Sequence, residues 1–347
     1  VAAAQSNGWN IELLDRGRGI ETFAHGVNDR GDVVGEVSDG TTVRAAVWRN
    51  GVLSELGPLS GYSHAKGWSI NKSGQVAGYS MTASGQVRAT FWDADGRAFD
   101  VGTLGGVNSR AFSLNDQGEV VGTSDFTHGS RAFSWSLSGG IVDRGNLNPE
   151  SAQSHGGANA INNNGVIVGT MYTLFSPFRA VFAGPGEKVR DMAVPGRSNS
   201  EALGINDAGV MVGYSNDGSG DEHAAIFDGR GGYTDLGVLA NTTATQATDI
   251  NNNGWIVGRA IGHGPDGIQT SFLYRDGQMV DLMSLIPSDS GWEMLFTAES
   301  VSDAGFITGT GIYQGETRAF RMAPVPEPAT LVGVSIGAIA LVRRRRR

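Results

Sequence analysis

Five side chains recur at one kind of place in this sequence: His64, Arg110, His155, Glu201 and Gln246. Each follows a Ser or Thr and precedes a small residue, shortly before an aliphatic residue and a turn. If the units that carry them are equivalent, the five project from one rim near a central channel, where loops converge. A guanidinium, two imidazoles, a carboxyl and an amide so gathered suit a polar ligand such as a polysaccharide. They would also suit acid–base chemistry, where a positioned carboxyl or imidazole moves a proton at the reacting bond. Glu201 with His155 is the pairing available for that purpose. A glycosidase would need two carboxylates about 5–10 Å apart. Other chemistries have no footing. The chain has no Cys, which excludes disulfides, thiolate metal sites and Cys nucleophiles. Its six His residues show no His-x-x-x-His spacing, and no Gly-x-Ser-x-Gly elbow occurs. The run from Asp217 to Glu222 lacks the alternating ligands of a Ca²⁺ loop and reads as a solvated hairpin. Neither a metal nor a cofactor is expected.

The elements that must position these residues are written as repeats. VNDRGDVVG begins at Val27, INKSGQVAG at Ile70, LNDQGEVVG at Leu114 and INNNGVIVG at Ile161. INDAGVMVG follows at Ile205, INNNGWIVG at Ile250 and VSDAGFITG at Val301. Successive copies start 43, 44, 47, 44, 45 and 51 residues apart, the length of a four-stranded propeller blade. In each copy an aliphatic residue ends one strand, and Asn (Ser302 in the last) opens a turn. Gly three residues later supplies a left-handed conformation without Cβ strain. A second Gly four residues further on marks a bulge or a close backbone approach. A third strand follows, best written in Arg44–Trp48, Arg88–Trp92 and Arg131–Trp135, and more weakly in 179–183, 223–227, 270–274 and 318–322. Its Trp residues are expected in the core between sheets rather than on a sugar platform. Fourth strands are predicted at 53–57, 98–102, 141–145, 189–192, 233–237 and 279–282.

Seven turns and seven third strands are accompanied by only six fourth strands. The missing one stands at the other end of the chain, in Asn10–Gly17, which precedes the first turn. A linear solenoid has no use for that offset, whereas a ring needs it to remove an open sheet edge. The expectation is therefore an all-β, seven-bladed propeller of four-stranded blades over residues 10–322, closed by the N-terminal strand, with Ile11 and Leu13 on its buried face. Residues 1–9 read as the remnant of a signal or linker, with Ala2–Gln5 resembling a small-residue cleavage site. Residues 323–330 form a Pro-rich linker, 331–342 a short hydrophobic transmembrane helix, and 343–347 an Arg tail.

Ile-Asn-Asp-x-Gly-x-Val-Val-Gly followed by an Arg/His-Ala-Phe-x-Trp strand and Asp-Leu-Gly resembles the HAF repeats of bacterial extracellular proteins, over about residues 10–322. That resemblance implies an exported repeat protein and carries no catalytic residues. The tail is similar to the PEP-CTERM sorting signal of Gram-negative bacteria. Pro326, Glu327 and Pro328 match its motif, 331–342 its helix, and Arg343, Arg344 and Arg345 its basic end. The resemblance implies processing by an exosortase, passage through the inner membrane, and association with the cell surface or an exopolysaccharide matrix. Charge excludes one class of partner. Without the last five Arg the chain has 21 basic against 35 acidic residues, a balance unsuited to binding nucleic acid. Two function classes follow: a non-catalytic surface or matrix protein that binds polysaccharide or protein through its rim, and a secreted lyase or glycoside hydrolase.

The apolar stretch from Ala329 to Val342 rises only about 21 Å as a helix, against a hydrocarbon core of about 30 Å. Such a marginal anchor suits a segment that is held briefly and then removed. Mass spectrometry of the mature protein from its own host should find the Arg tail absent. Peptides ending at Arg347 as the main species would instead make the tail a plain anchor.

Overall fold

Each Asn-x-x-Gly unit folds into the tight turn its residues call for. In the fourth copy Gly165 takes φ 74°, and its N–H donates to the Asn162 carbonyl at 3.0 Å. The Asn162 side-chain oxygen accepts from the N–H groups of Asn164 and Val166 at 3.1 and 3.0 Å. The same pattern holds the other Asn turns and sets the register of each first hairpin. The computed structural model describes residues 8–325 except 18, 128, 148–153, 174–175, 195–198, 217–219 and 263–268. The predicted helix over 331–342, together with Pro326, Glu327, Pro328, Arg343, Arg344 and Arg345, lies outside the described residues. Among the described residues no helix is long and apolar enough to cross a membrane.

Seven antiparallel sheets of four strands each result, and they form the blades of a propeller. Blade 1 runs through Glu21–Val27, Val33–Ser38, Val43–Arg49 and Val52–Leu56. Blades 2 to 6 follow the same order, and their fourth strands range from Gly140–Gly145 in blade 3 down to Arg190–Asp191 in blade 4. Blade 7 takes Trp292–Val301, Ile307–Tyr313 and Glu316–Pro324 from the C-terminal end and Trp9–Leu14 from the N-terminal end. The closing strand pairs from Trp9 opposite Pro324 to Leu14 opposite Ala319. Closure by the N-terminal strand is as the count of strands required. Its burial differs in detail: Trp9 and Leu14 are fully covered, while Ile11 and Leu13 are half-buried against the blade 7 core.

The core lies between blades and is graded by distance from the axis. Four residues before each turn stand Ala24, Gly67, Ala111, Ala158, Ala202, Ala247 and Ala298, where the blades converge and only small side chains fit. The third strands, further out, carry the bulk: Trp48, Trp92 and Trp135 are all buried, as are Phe227, Phe272 and Phe320. Fully burying an aromatic or aliphatic side chain of this kind stabilises by about 1.5–3 kcal/mol.

The blades are also linked directly. The Asn28 side-chain amide donates to the Asn71 carbonyl at 3.1 Å, and Asn71 donates to Asn115 in turn at 3.1 Å. Asn115 reaches Asn162 at 3.3 Å, Asn162 reaches Asn206 at 2.9 Å, and Asn206 reaches Asn251 at 3.1 Å. Asn251 donates to the Ser302 carbonyl at 2.9 Å. Ser302 has no amide to pass the chain back to blade 1. At that joint the Ala304 N–H donates to the Asp29 carboxylate at 3.1 Å, and the closing strand does the rest.

Deleting residues 1–17 should expose the edge of Glu316–Pro324, promote oligomers and lower the melting temperature. A truncated protein that stays monomeric with unchanged melting would contradict closure through this strand.

Candidate functional site

All seven inner strands run the same way, from an entry face to the face that carries the Asn turns. Each contains a register shift three residues before its turn, as at Ala111/Ser113 and Ala202/Gly204. A bulge leaves one residue unpaired and re-aims it. The residues so placed are His25, Trp68, Phe112, Asn159, Leu203, Thr248 and Glu299, which line a central cavity of about 240 Å³. The second Gly of each repeat is the counterpart of this bulge. A Cβ on Gly122 would stand 1.9 Å from the Arg110 carbonyl, so no other residue allows the two strands to approach.

Five residues before each turn the inner strand presents a side chain on the entry-face side of the bulge. These positions are Phe23, Lys66, Arg110, Gly157, Glu201, Gln246 and Thr297, each opposite the residue after the second Gly. Blade 4 alone has no side chain there. Arg110 of blade 3 and Glu201 of blade 5 therefore face a gap, and a groove of about 320 Å³ opens between them. The Gly156–Gly157 backbone lines it together with Phe112, Asn159, Tyr172 and Phe178. Tyr172 and Phe178 lie with ring centroids 4.8 Å apart, and Phe178 is 41 % exposed, unusual for so large an apolar side chain in this protein. Gly157 itself is held by packing, since a Cβ there would meet the Thr123 Cβ at 2.6 Å.

The polar side of the groove is ordered. Asn159 donates to Thr170 Oγ1 at 3.0 Å, and Thr170 donates to Glu201 at 3.2 Å. The Tyr214 hydroxyl donates to the other Glu201 oxygen. Burial pushes the Glu201 carboxyl above its ordinary range. The two hydroxyl donors oppose that rise, and the Glu222 charge adds to it. Burial and the neighbouring Glu201 also push the Tyr214 hydroxyl up. Asp125, on the opposite wall, accepts from the Asn108 backbone and side-chain nitrogens at 3.1 and 2.8 Å. Among the described residues no group of three or more acidic or His side chains is arranged to hold a metal ion.

The five rim residues expected from sequence do not occupy equivalent positions. Arg110, Glu201 and Gln246 share one place, whereas His64 and His155 stand two residues nearer the entry face, opposite Met81 and Tyr172. The structure brings Arg110 and Glu201 to the groove. It puts the His155 ring behind the groove's aromatic wall, stacked on Tyr172 at 5.6 Å. His64 accepts from the Val43 N–H at 3.2 Å, between blades 1 and 2. Gln246 is buried and bonded to Glu222 and Arg259. Glu201 and His155 have separate partners and share no hydrogen bond. Reading from Ser/Thr–x–small missed the true register because Ser154 and Ser63 are not counterparts of Ser109. Counting back five residues from each Asn would have found Lys66 and Gly157. Tyr172 and Phe178 gave no repeat-level signal.

At the opposite mouth, Asp29, Lys72, Asp116, Asn163, Asp207, Asn252 and Asp303 ring the axis. Backbone N–H groups satisfy their side chains across blades, as from Asn163 to Asp207 at 2.8 Å and from Asn252 to Asp303 at 2.7 Å. Lys72 sits 3.5 Å from both Asp29 and Asp116, and the Asp116 charge raises its ammonium above the ordinary lysine range. This mouth is an internally bonded collar.

Comparison with known proteins yields two findings. The PEP-CTERM protein-sorting motif matches residues 324–347, which implies export and surface sorting by an exosortase. No curated protein matches the chain. Among solved structures, the β-propeller domain of the Trilobed protease from Pyrococcus furiosus aligns with a TM-score of 0.54 at 10% identity. The alignment covers 88% of this chain and 97% of that one. That domain is described as an open velcro, whereas blade 7 here is closed by the N-terminal strand. A prolyl endopeptidase aligns with a TM-score of 0.58 at 12% identity, over 94% of this chain and 52% of its own. A puromycin hydrolase aligns with a TM-score of 0.55 at 14% identity, over 92% of this chain and 56% of its own. The chain thus spans about half the length of this endopeptidase and this hydrolase. At such identities the likeness shows the propeller fold alone.

A buried carboxyl with a raised folded-state pKa favours the protonated form. Its contribution to stability is complete below the unfolded-state pKa and is lost as pH rises through the folded one. Wild type should therefore gain stability relative to Glu201→Gln as pH falls from 7 into the carboxylate range. Parallel melting curves of the two proteins across that range would show that Glu201 is not held in this way.

Proposed function

We propose that this protein is an exported, non-catalytic propeller that binds extracellular polysaccharide in the groove between blades 3, 4 and 5. The observation that carries the reading is the gap at Gly157, bordered by a half-exposed aromatic pair on one side and by hydrogen-bonded polar side chains on the other. A sugar ring has an apolar C–H face and an edge of hydroxyls. Aromatic faces with a few well-placed polar groups are a chemistry that fits both. Of the rim residues expected from sequence, Arg110 and Glu201 would touch the ligand and His155 would support Tyr172. The HAF-repeat resemblance and the sorting motif favour a role outside the cell, at the surface or in the matrix.

Chain topology favours display of that groove. The strand Glu316–Pro324 runs toward the turn face, and Val325 donates its N–H to the Gly8 carbonyl there at 2.8 Å. Both ends of the described chain therefore leave from the face that carries the acidic collar. The groove opens on the other face. A propeller held by its C-terminal segment would turn the groove outward.

Changing Tyr172 and Phe178 together to Ala should abolish retention on extracellular polysaccharide from the host while shifting the melting temperature little, because Phe178 is exposed. Undiminished retention by a folded double variant would place the ligand elsewhere or remove it.

A further inference from the structure

We propose that the groove recognises an acidic sugar, whose carboxylate is received by Arg110. The inference rests on the reading of the groove as a glycan site and adds the class of glycan. It begins from a contrast among arginines. Where a third strand opens on arginine, that arginine is given a carboxylate: Arg44 has Glu55 at 3.4 Å, Arg88 has Asp100 at 3.9 Å, Arg131 has Asp143 at 2.7 Å and Arg179 has Asp191 at 3.7 Å, while Arg49 and Arg275 at the far ends of their strands rest on the Gly74 carbonyl and on the Trp9 and Trp255 rings. Arg318, almost fully buried, has Asp15 at 3.1 Å. Arg110 is half-buried in the groove wall and has neither an ion pair nor a side-chain hydrogen bond among the described residues. Its one neighbour of note is the Tyr79 ring, 5.8 Å from the guanidinium carbon.

The acids near it do not answer that charge. Asp125 lines the same groove but is turned to Asn108, from which it takes two hydrogen bonds. Glu201 is fixed by Thr170 and Tyr214. A guanidinium left with its donors unspent, beside an aromatic face, is the arrangement that takes a planar carboxylate in two parallel hydrogen bonds. The uronate carboxylate lies at the edge of its ring. Binding it at Arg110 leaves the ring's C–H face for Tyr172 and Phe178, and its hydroxyls for the Asn159 and Glu201 side. Burial of Glu201 works in the same direction, because raising its pKa lowers the negative charge that an anionic ligand meets. A neutral glycan would leave Arg110 unpaired in the complex, without water around part of it, which disfavours that class. A sulfated or phosphorylated sugar would meet the same charge, since the fork also suits tetrahedral oxyanions; the uronate is the planar case put to the test.

The test compares polygalacturonate oligomers with neutral dextran oligomers, each titrated calorimetrically into the full chain in mild detergent. Arg110→Gln, Arg110→Lys and the Tyr172→Ala/Phe178→Ala double variant are run beside wild type, and melting curves confirm folding. The expected result is binding of the uronate oligomer that weakens roughly tenfold or more in Arg110→Gln and falls as salt is raised. Arg110→Lys should recover only part of it, since the charge returns without the fork. Uronate binding indifferent to Arg110→Gln overturns the proposal. Dextran bound as well as the uronate, and lost only in the aromatic double variant, also overturns it while leaving the groove as a glycan site. Failure of wild type to bind either oligomer removes both readings.

Discussion

The hydrogen bond from one turn's Asn amide to the next turn's carbonyl is the constraint on which this ring turns. A typical net hydrogen bond contributes only about 1 kcal/mol, but leaving a buried donor unmet costs more, roughly 1–3 kcal/mol. Each of these Asn side chains is almost fully buried and uses both ends at once. Its oxygen shapes its own hairpin and its nitrogen fixes the distance to the neighbouring blade. Local turn geometry and global blade spacing are thus one arrangement. An Asn→Asp change would keep the turn cap and lose the donor, so the two functions are chemically separable even though one residue performs both. Ser302 marks where the chain of amides stops. That joint is also where the two ends of the described chain meet, and the backbone pairing of Trp9–Leu14 with Glu316–Pro324 takes over.

Blade convergence then determines what the axis can offer. Near the centre the sheets are too close for large side chains, so the inner strands use Ala or Gly four residues before the turn. A regular strand would leave the axis lined by these small residues alone. The bulge in every inner strand solves this by turning out one residue of any size, which is why His25, Trp68 and Phe112 reach the channel and touch one another, with His25 and Trp68 stacked at 4.3 Å. The facing Gly is the other half of the device. Bulge and Gly must change together, so the motif repeats with little variation while the channel residue varies freely.

This explains which parts of the fold and site were legible in the sequence. Turn positions, blade number, the third-strand Trp core and the closing strand all follow from features repeated seven times or conspicuously missing once. The inter-blade amides were invisible because the Asn–x–x–Gly pattern is fully accounted for by the turn. Rim register was misread because it was anchored on a Ser/Thr that shifts by two residues between blades. The Asn, tied to its neighbours on both sides, does not shift. His64 and His155 were grouped with Arg110 by local likeness, though the ladder puts them opposite Met81 and Tyr172 rather than opposite residues equivalent to Thr123. The aromatic wall, from strands Ile167–Thr173 and Ser176–Ala183, belongs to one blade and had no copies to reveal it.

Function in such a ring has to come from departures from the repeat, because what is common to seven blades is already occupied in holding them together. The acidic collar illustrates the point: it repeats around the ring, and its carboxylates and amides are spent on the backbone N–H groups of adjacent blades. The groove is the opposite case. At one register position six blades have a side chain and blade 4 has Gly157, so two neighbours, Arg110 and Glu201, lose the residue that would have stood between them. An asymmetric gap in a symmetric wall costs little stability, since Thr123 fills the space against Gly157 and Gly157 keeps its pairing with Thr170. It creates a concave surface where a cation without a carboxylate partner among the described residues and a partly exposed aromatic pair are both at hand. The rigidity of the ring matters to this last step. Groove walls drawn from three different blades keep their separation only because the amide links fix blade spacing on the far face of the same strands.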